Sequence, residues 1–523
     1  MPHRLQFYKN TLPLPEITKS SLQDIIAELQ AAVVNGVQLI ESAHPAGEDD
    51  GRGMFSGDIG IALAYLRLAH QARGFDTTED SMLPPFRDLA HARIPRGPST
   101  EDLAIGQLSP LASKSPLSSA TLRILHHVSE RSAGCILDTD FTVLRDAVEL
   151  ALSHGATGFY HGHELGADEV LFGRAGLLWT VLNIQKWTLF FEERQLGLLG
   201  GVLEEETVGK LVEAIVRAGQ EGGAECRRIL GESETKQGEV AKPLLWVWMK
   251  GHYGLGWAHG LTGIISVLLS APPRLITPHL PSIAETISLL CKTCINEDGH
   301  LPTCIPPRST SSSRTSPLVQ LCHGSPAFLA FMACALRVPS LIKNHWTREG
   351  DTAIRHATDR VWNEGLLAKG GGLCHGIAGN AWPLLMLYSS SEENRVVLEE
   401  ARSKYDTPPD TKLNAPLEPD FFLSRALAML LHARETQPYC QTPDQTDHAY
   451  RMPDHPYSLF EGLSGTLCAW AEACSVLRHK LRILELQAEG QVVDVNHDSV
   501  LHEVKMAQLG FPFLGGNGVT GII

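Results

Sequence analysis

The sequence has no Asn-x-Ser/Thr sequon and no excess of basic residues. Its 44 Lys and Arg face 59 Asp and Glu, a formal net charge of −15. A nucleic-acid binder needs a basic face, so that class is set aside, although a local basic pocket stays compatible. The opening MPHRLQFYKN lacks an apolar h-region, and Pro2 breaks the N-myristoylation pattern, so neither a leader nor a lipid anchor is expected there. The longest uncharged stretch, Gly251 to Pro273, contains His252, His259 and five glycines. Its apolar core is too short to span a bilayer. Eleven cysteines spread over 523 residues do not resemble a small disulfide scaffold. With 43% apolar and 20% charged residues the chain is of ordinary globular composition, which excludes disordered and collagenous classes. A reduced, cytoplasmic protein is expected. The 23 histidines suggest a metal or acid–base site without locating it.

Most of the chain reads as helix. Apolar residues recur near a 3.6-residue period over Leu22–Ile40, Ile59–Ala72, Phe141–Ser153, Leu171–Phe191, Glu204–Leu230, Ile264–Ser270, Ile283–Ile295, Ala327–Arg337, Thr352–Leu366, Ala378–Tyr388, Phe421–His432 and Gly465–Leu486. No long run alternates with period two, so the fold class is all-α. Three loops rich in Pro, Ser, Gly or Asp interrupt the pattern: Arg96–Pro116, Leu301–Pro317 and Gln437–Tyr457. None is long enough to separate domains. A single domain is expected over 1–523, with an N-terminal arm over 1–20 and a C-terminal extension over 487–523 to which the sequence assigns no role.

An internal repeat carries the most information. Gly57-Asp-Ile-Gly60, Gly173-Arg-Ala-Gly176, Gly260-Leu-Thr-Gly263, Gly324-Ser-Pro-Ala327, Gly376-Ile-Ala-Gly379 and Gly462-Leu-Ser-Gly465 each lead into an apolar helix. Glycine permits close backbone approach. Six such turns, separated by other helices, point to a toroid of helical hairpins with the turns gathered at one end of an inner ring. The long gap between the first two turns leaves room for a degenerate repeat, hence seven hairpins.

Three turns carry His directly before Gly: His259-Gly260, His323-Gly324 and His375-Gly376. Two carry Cys one place earlier, Cys322 and Cys374. If the repeats are equivalent in space, these side chains converge, and thiolate and neutral imidazole are good zinc ligands. A single Cys or His at a helix start is ordinarily a packed residue or a cap; repetition in one frame argues for the metal. Cys291-Lys-Thr-Cys294 competes as a metal motif, but it lies in a helical pattern without a second CxxC and reads as packing. Joining Cys304 and Cys322 to that pair would leave Cys374-His375 unexplained.

Taken in order, Phe55-Ser-Gly-Asp-Ile-Gly60, Asp168-Glu-Val-Leu-Phe-Gly-Arg-Ala-Gly176, Lys242-Pro-Leu-Leu-Trp246 leading to Trp257-Ala-His-Gly260, Cys322-His-Gly-Ser-Pro326, Gly365 to Asn380 and Pro456 to Thr466 resemble the eukaryotic lanthionine synthetase C-like proteins. The resemblance covers roughly residues 20–475. It implies an (α/α)7 barrel with one catalytic zinc held by Cys322, Cys374 and His375. It also implies addition of a thiol, glutathione, to dehydroalanine or dehydrobutyrine residues of a peptide or protein substrate. In that reading His259 is the general acid or base, Glu169 orients a histidine or assists proton transfer, and His323 lines the pocket. Lys369 and Arg4 contact glutathione. A simple N-terminal helix carboxylate is the competing reading of Glu169.

The chain departs from the family pattern in four places. Ala327 stands where relatives carry Gly, no second Gly-rich turn is legible between residues 75 and 150, a Ser-rich insert spans 308–317, and the chain continues past residue 486. A zinc- and glutathione-binding scaffold and a peptide cyclase forming thioether rings are the alternative functions. A glycosidase would need an opposed carboxylate pair, and the turns offer few acids beyond Asp58, Glu169 and Glu461.

Overall fold

The computed structural model describes residues 5–47, 50–72, 75, 83–130, 136–160, 162–231, 241–307, 318–405, 417–441 and 448–514. Arg4 and the 308–317 insert lie outside the described residues.

Fourteen helices among the described residues alternate between an outer and an inner ring. The outer helices are α1 (Lys19–Ala43), α3 (Phe86–Ala92), α5 (Asp138–Ser153), α7 (Glu205–Ile229), α9 (Leu280–Asn296), α11 (Arg348–Glu364) and α13 (Pro419–His432). The inner ones are α2 (Asp58–Gln71), α4 (Pro116–Glu130), α6 (Arg174–Gln185), α8 (Leu261–Leu268), α10 (Ser325–Ala335), α12 (Ile377–Glu393) and α14 (Leu463–Ala488). Each inner helix touches the next, and α14 returns to α2, closing the ring; α1 lies along α14 and seals the seam. The protein is thus an all-α barrel of seven hairpins.

Sequence pattern decides which ring a helix joins. In α1 the buried residues Leu22, Ile25, Ile26, Leu29, Ala32, Val33, Val37 and Ile40 form one stripe, so its other face can meet water. In α10 every residue is buried, as are Ile377 to Ser391 of α12. Such helices are apolar all round and fit only between neighbours.

The expected helices are all present, with ends displaced by a few residues. Two ring helices escaped the periodicity. One is the short α3. The other is α4, whose turn reads Ser115-Pro-Leu-Ser118, with Ser at both places where the other turns carry Gly. Ser118 N bonds Ser115 O at 3.1 Å, and its hydroxyl donates to Pro110 O at 2.8 Å. The hydroxyl therefore finds a partner where most other turns leave no room for a side chain. At Gly379 a Cβ would lie 1.7 Å from Leu373 O, a contact no atom can make. Ala327 stands in a turn whose capping Gly324 has φ +119°, a backbone only glycine adopts readily, unlike the negative-φ caps of the other turns.

Two small antiparallel sheets decorate the turn end. One pairs β1 (Phe7–Tyr8) with β7 (Leu366–Leu367), tying the N-terminal arm to the barrel. The other orders β2 (Thr157–Tyr160), β3 (His163–Gly166), β4 (Val247–Met249), β5 (His252–Gly254) and β6 (Cys304–Ile305).

The described end of the C-terminal extension, through Leu514, fills the barrel. Helix α15 (Ser499–Met506) packs on α14, and the chain then enters the ring from the end opposite the turns. His70 Nε2 meets Met506 O at 3.0 Å, and Lys505 pairs with Glu393 at the far end of α12. Glu472, buried inside the ring, accepts Leu509 N and Gly510 N, both at 2.9 Å, while buried Arg67 donates to Gly510 O. These two charges supply polar partners that an apolar interior would deny the entering backbone. Phe511 lies 4.8 Å from Trp382, centroid to centroid, and 6.1 Å from Trp257; Phe513 stacks on Trp179 at 3.9 Å. Phe513→Ala is expected to lower unfolding free energy by about 3–5 kcal/mol in urea titrations. Phe159→Ala, at a side chain 77% exposed, should shift it by no more than about 0.5 kcal/mol.

Candidate metal centre

Because the inner helices all start at one end, their turns form a rim. Backbone hydrogen bonds join successive turns: Leu108 N to Phe172 O (3.1 Å), Met54 N to Pro110 O (3.0 Å), Phe460 N to Phe55 O (3.1 Å), Cys374 N to Phe460 O (2.7 Å) and Cys322 N to Cys374 O (3.1 Å). The repeat register then assigns places. Two residues before the capping glycine stand Phe55, Cys322, Cys374 and Phe460. One residue before it stand Phe172, His259, His323, His375 and Glu461.

This register brings the predicted ligands together. One ligand atom each from Cys322, Cys374 and His375 lies within 4.8 Å of the other two. Both cysteines are buried, and His375 is partly exposed. The Cys374 thiol, followed by the imidazoles of His375 and His323, holds Cys322 well below the usual thiol range against the opposing effect of burial. Gln320 Nε2 donates to Cys322 Sγ at 2.9 Å. A thiolate–thiol–imidazole set fits zinc, and three protein ligands leave a fourth position for a substrate.

Glu461, one of the few acids of the turns, lies behind His375. Its Oε1 is 3.9 Å from His375 Nε2, and its Oε2 is 3.6 Å from His455 Nε2, whose Nδ1 receives Arg52 at 2.9 Å. At these distances the carboxylate faces both imidazoles without a direct hydrogen bond to either. The signal for it was present, since Glu461 precedes its capping glycine as His375 precedes Gly376.

His259 Nδ1 meets Glu169 Oε2 at 2.9 Å. Glu169 therefore serves a histidine rather than a helix end. It is only 5% exposed, and its Oε1 has no hydrogen-bond partner among the described residues. Burial works against the His259 imidazolium, but the Glu169 charge and hydrogen bond, with the field of Cys322, outweigh it and set its pKa above the ordinary histidine range. Around His259 stand His323 (centroids 5.6 Å apart), Phe172 (5.9 Å) and Trp248 (5.6 Å, 19° between planes). Trp248 was not singled out from the sequence. It lies on β4, between Val247 and Met249, both paired with β5, and its strand is too short to show alternation.

Lys369 is exposed at the rim, close enough to Cys374 for its charge to act on that thiol. Its loop is bonded to a second cationic residue: Arg451 N donates to Ala368 O at 3.0 Å, and its guanidinium to Leu5 O at 2.7 Å. Cys291 and Cys294 are buried in α9 away from this centre; Cys294 Sγ faces Ala353 O, and burial pushes its thiol up to about 12. Cys304 Sγ faces Pro306 O. All ten described cysteines are free thiols.

Residues 121–415 match the family described as "Lanthionine synthetase C-like protein". The chain belongs to the lanthionine synthetase C-like family. A Danio rerio relative named "Glutathione S-transferase LANCL1" is 23% identical over 89% of this chain and 91% of its own length. The Arabidopsis thaliana "LanC-like protein GCL1" is 28% identical over 65% of this chain and 61% of its own. A solved structure named "Nisin cyclase" aligns at 13% identity and TM-score 0.32, over 86% of this chain and 94% of that one. No single helix among the described residues is long and apolar enough to cross a membrane.

Cys322→Ala, Cys374→Ala and His375→Ala are each expected to remove one equivalent of bound zinc, read by elemental analysis of the purified protein. A zinc content undiminished from wild type in all three would refute the centre.

Proposed function

We propose that this protein adds a thiol, glutathione, to dehydroalanine or dehydrobutyrine residues in peptides or proteins. The observation that carries the reading is the convergence of the Cys322–Cys374–His375 set with the His259–Glu169 pair at one rim. The name of the Danio rerio relative supports glutathione as the thiol. Bound zinc would supply a Lewis-acid position where an incoming thiol is held as its thiolate near neutral pH.

The chain's own residues do the rest. Sulfur adds to the β-carbon of the dehydro residue; the C–S bond forms as the alkene π pair moves to the α-carbon, which then takes a proton. His259 delivers that proton. Glu169 accepts from Nδ1–H, which leaves Nε2 to carry the transferable proton and keeps the ring aligned. The raised pKa keeps the imidazolium populated near neutrality, as a general acid requires. His323 and Trp248 pack beside the ring and against each other, the three centroids 5.5–5.6 Å apart. The Lys369 ammonium suits a glutathione carboxylate, with Arg451 on the neighbouring segment. These cations provide the local basic pocket that a chain of net charge −15 needs for an anionic tripeptide.

The test is glutathione adduct formation on a dehydroalanine peptide, followed by mass spectrometry with zinc-loaded protein. Wild type should give the adduct; binding of zinc and glutathione without adduct would leave the scaffold reading. His259→Asn should lower kcat by about 10²–10⁴-fold with zinc retained. Glu169→Gln removes the influence that raises His259, so the alkaline limb of the pH–rate profile should move to lower pH. Lys369→Ala should raise KM for glutathione about tenfold, the cost of one charge-assisted hydrogen bond, with kcat nearly unchanged.

A further inference from the structure

Outside the rim centre, two imidazoles and a carboxylate meet at the end of α13. His432 is its last residue and is buried; Glu435 closes the 3₁₀ turn Ala433–Glu435; His448 returns to them from the following loop. One ligand atom from each lies within 4.8 Å of the other two. His432 Nδ1 is 3.2 Å from Glu435 Oε1. Its other nitrogen, Nε2, is 2.6 Å from the Tyr450 hydroxyl. The His448 ring stands at 85° to that of His432, with centroids 5.4 Å apart. It is packed against Tyr8 (4.4 Å) and Tyr450 (5.7 Å), and the Tyr8 hydroxyl bonds Ala449 O at 2.9 Å.

An ion pair between His432 and Glu435 would need only one imidazole. Here a second imidazole is brought to the same carboxylate and clamped by two tyrosines. One ring also has its far nitrogen held by a hydroxyl, as the outer partner of a metal-bound imidazole does. Two neutral imidazoles and one carboxylate form a donor set suited to zinc and similar divalent transition ions. The Glu435 side chain is 45% exposed, which leaves a side open to water ligands.

We propose that His432, Glu435 and His448 form a second metal site, taking zinc or a zinc-like divalent ion through two nitrogens and one oxygen, with water completing the coordination. The ion clips the returning loop to the end of α13. It also braces the rim, because Thr436, next to Glu435, lies against Gly371: a Cβ there would be 2.5 Å from Thr436 Oγ1. Thr466 Oγ1 donates to Gly371 O at 3.0 Å from the other side. This is the loop that carries Lys369 toward Cys374.

The test uses full-length protein in which Cys322→Ala and Cys374→Ala have emptied the first centre, equilibrated with zinc and desalted. One remaining equivalent is expected, lost on adding His448→Ala and also on adding Glu435→Gln, a near-isosteric change at an exposed side chain. Tyr450→Phe should weaken the remaining affinity about 10–100-fold in competition with a chromogenic chelator. No zinc in the double-cysteine background, or zinc undiminished by both His448→Ala and Glu435→Gln, overturns the site. Since no turnover is read, a failure of the thiol-addition reading leaves this result unaffected.

Discussion

The chain of backbone hydrogen bonds along the rim is the constraint on which the site depends. Cys322 N reaches Cys374 O, Cys374 N reaches Phe460 O, and Phe460 N reaches Phe55 O. Each bond fixes one turn against the next without using a side chain. The two cysteines can therefore serve as ligands while their own backbones hold the ring together. The spacing of the donors is set before any metal arrives, so binding requires little rearrangement. The residue that follows in each turn then takes its place at the mouth. A single register, repeated, supplies His259, His323, His375 and Glu461 from four separate segments of the sequence.

That register needs each turn to close tightly on the start of its own inner helix, and this close approach explains the glycines. A side chain at Gly379 would collide with Leu373 O. The two exceptions show alternative solutions. Ser118 carries a hydroxyl that finds Pro110 O, and Ala327 follows a capping Gly324 of positive φ. At the opposite end the barrel is filled by residues 507–514. Phe511 reaches Trp257 and Phe460 from below, and the latter carries the carbonyl that holds Cys374. The packing of the extension is thereby continuous with the support of the metal ligands.

Much of this was legible in the sequence, because repetition converts weak signals into geometry. The Gly-x-x-Gly frame announced a ring, and Cys-His-Gly at two of its turns announced the convergence of Cys322, Cys374 and His375. The illegible parts have physical causes. The Ser115–Ser118 turn hid the seventh hairpin because serine, its hydroxyl bonded to Pro110 O, stands where most other turns carry glycine. The role of 487–514 was hidden because segments buried inside a ring carry no periodicity of their own; Phe511-Pro-Phe513 could as well have been a surface turn. Trp248 and Tyr450 act through side-chain contacts between segments distant in the chain, which no local pattern records.

The adjacent acids Asp168 and Glu169 show how one short segment divides its work. Arg174, at the start of α6, binds Asp168 with two hydrogen bonds, 2.7 and 3.0 Å. Burial pushes Asp168 up to about 6 against the opposing pull of Arg174. A buried pair of this kind is weak evidence for stability but strong evidence for placement, because removing either partner strands a charge. It fixes the backbone of residue 168 against the helix. Glu169, the next residue, is therefore held toward His259 with one oxygen engaged. The carboxylate satisfied by arginine positions the turn, and the one left half-satisfied beside an imidazole is free to tune a proton.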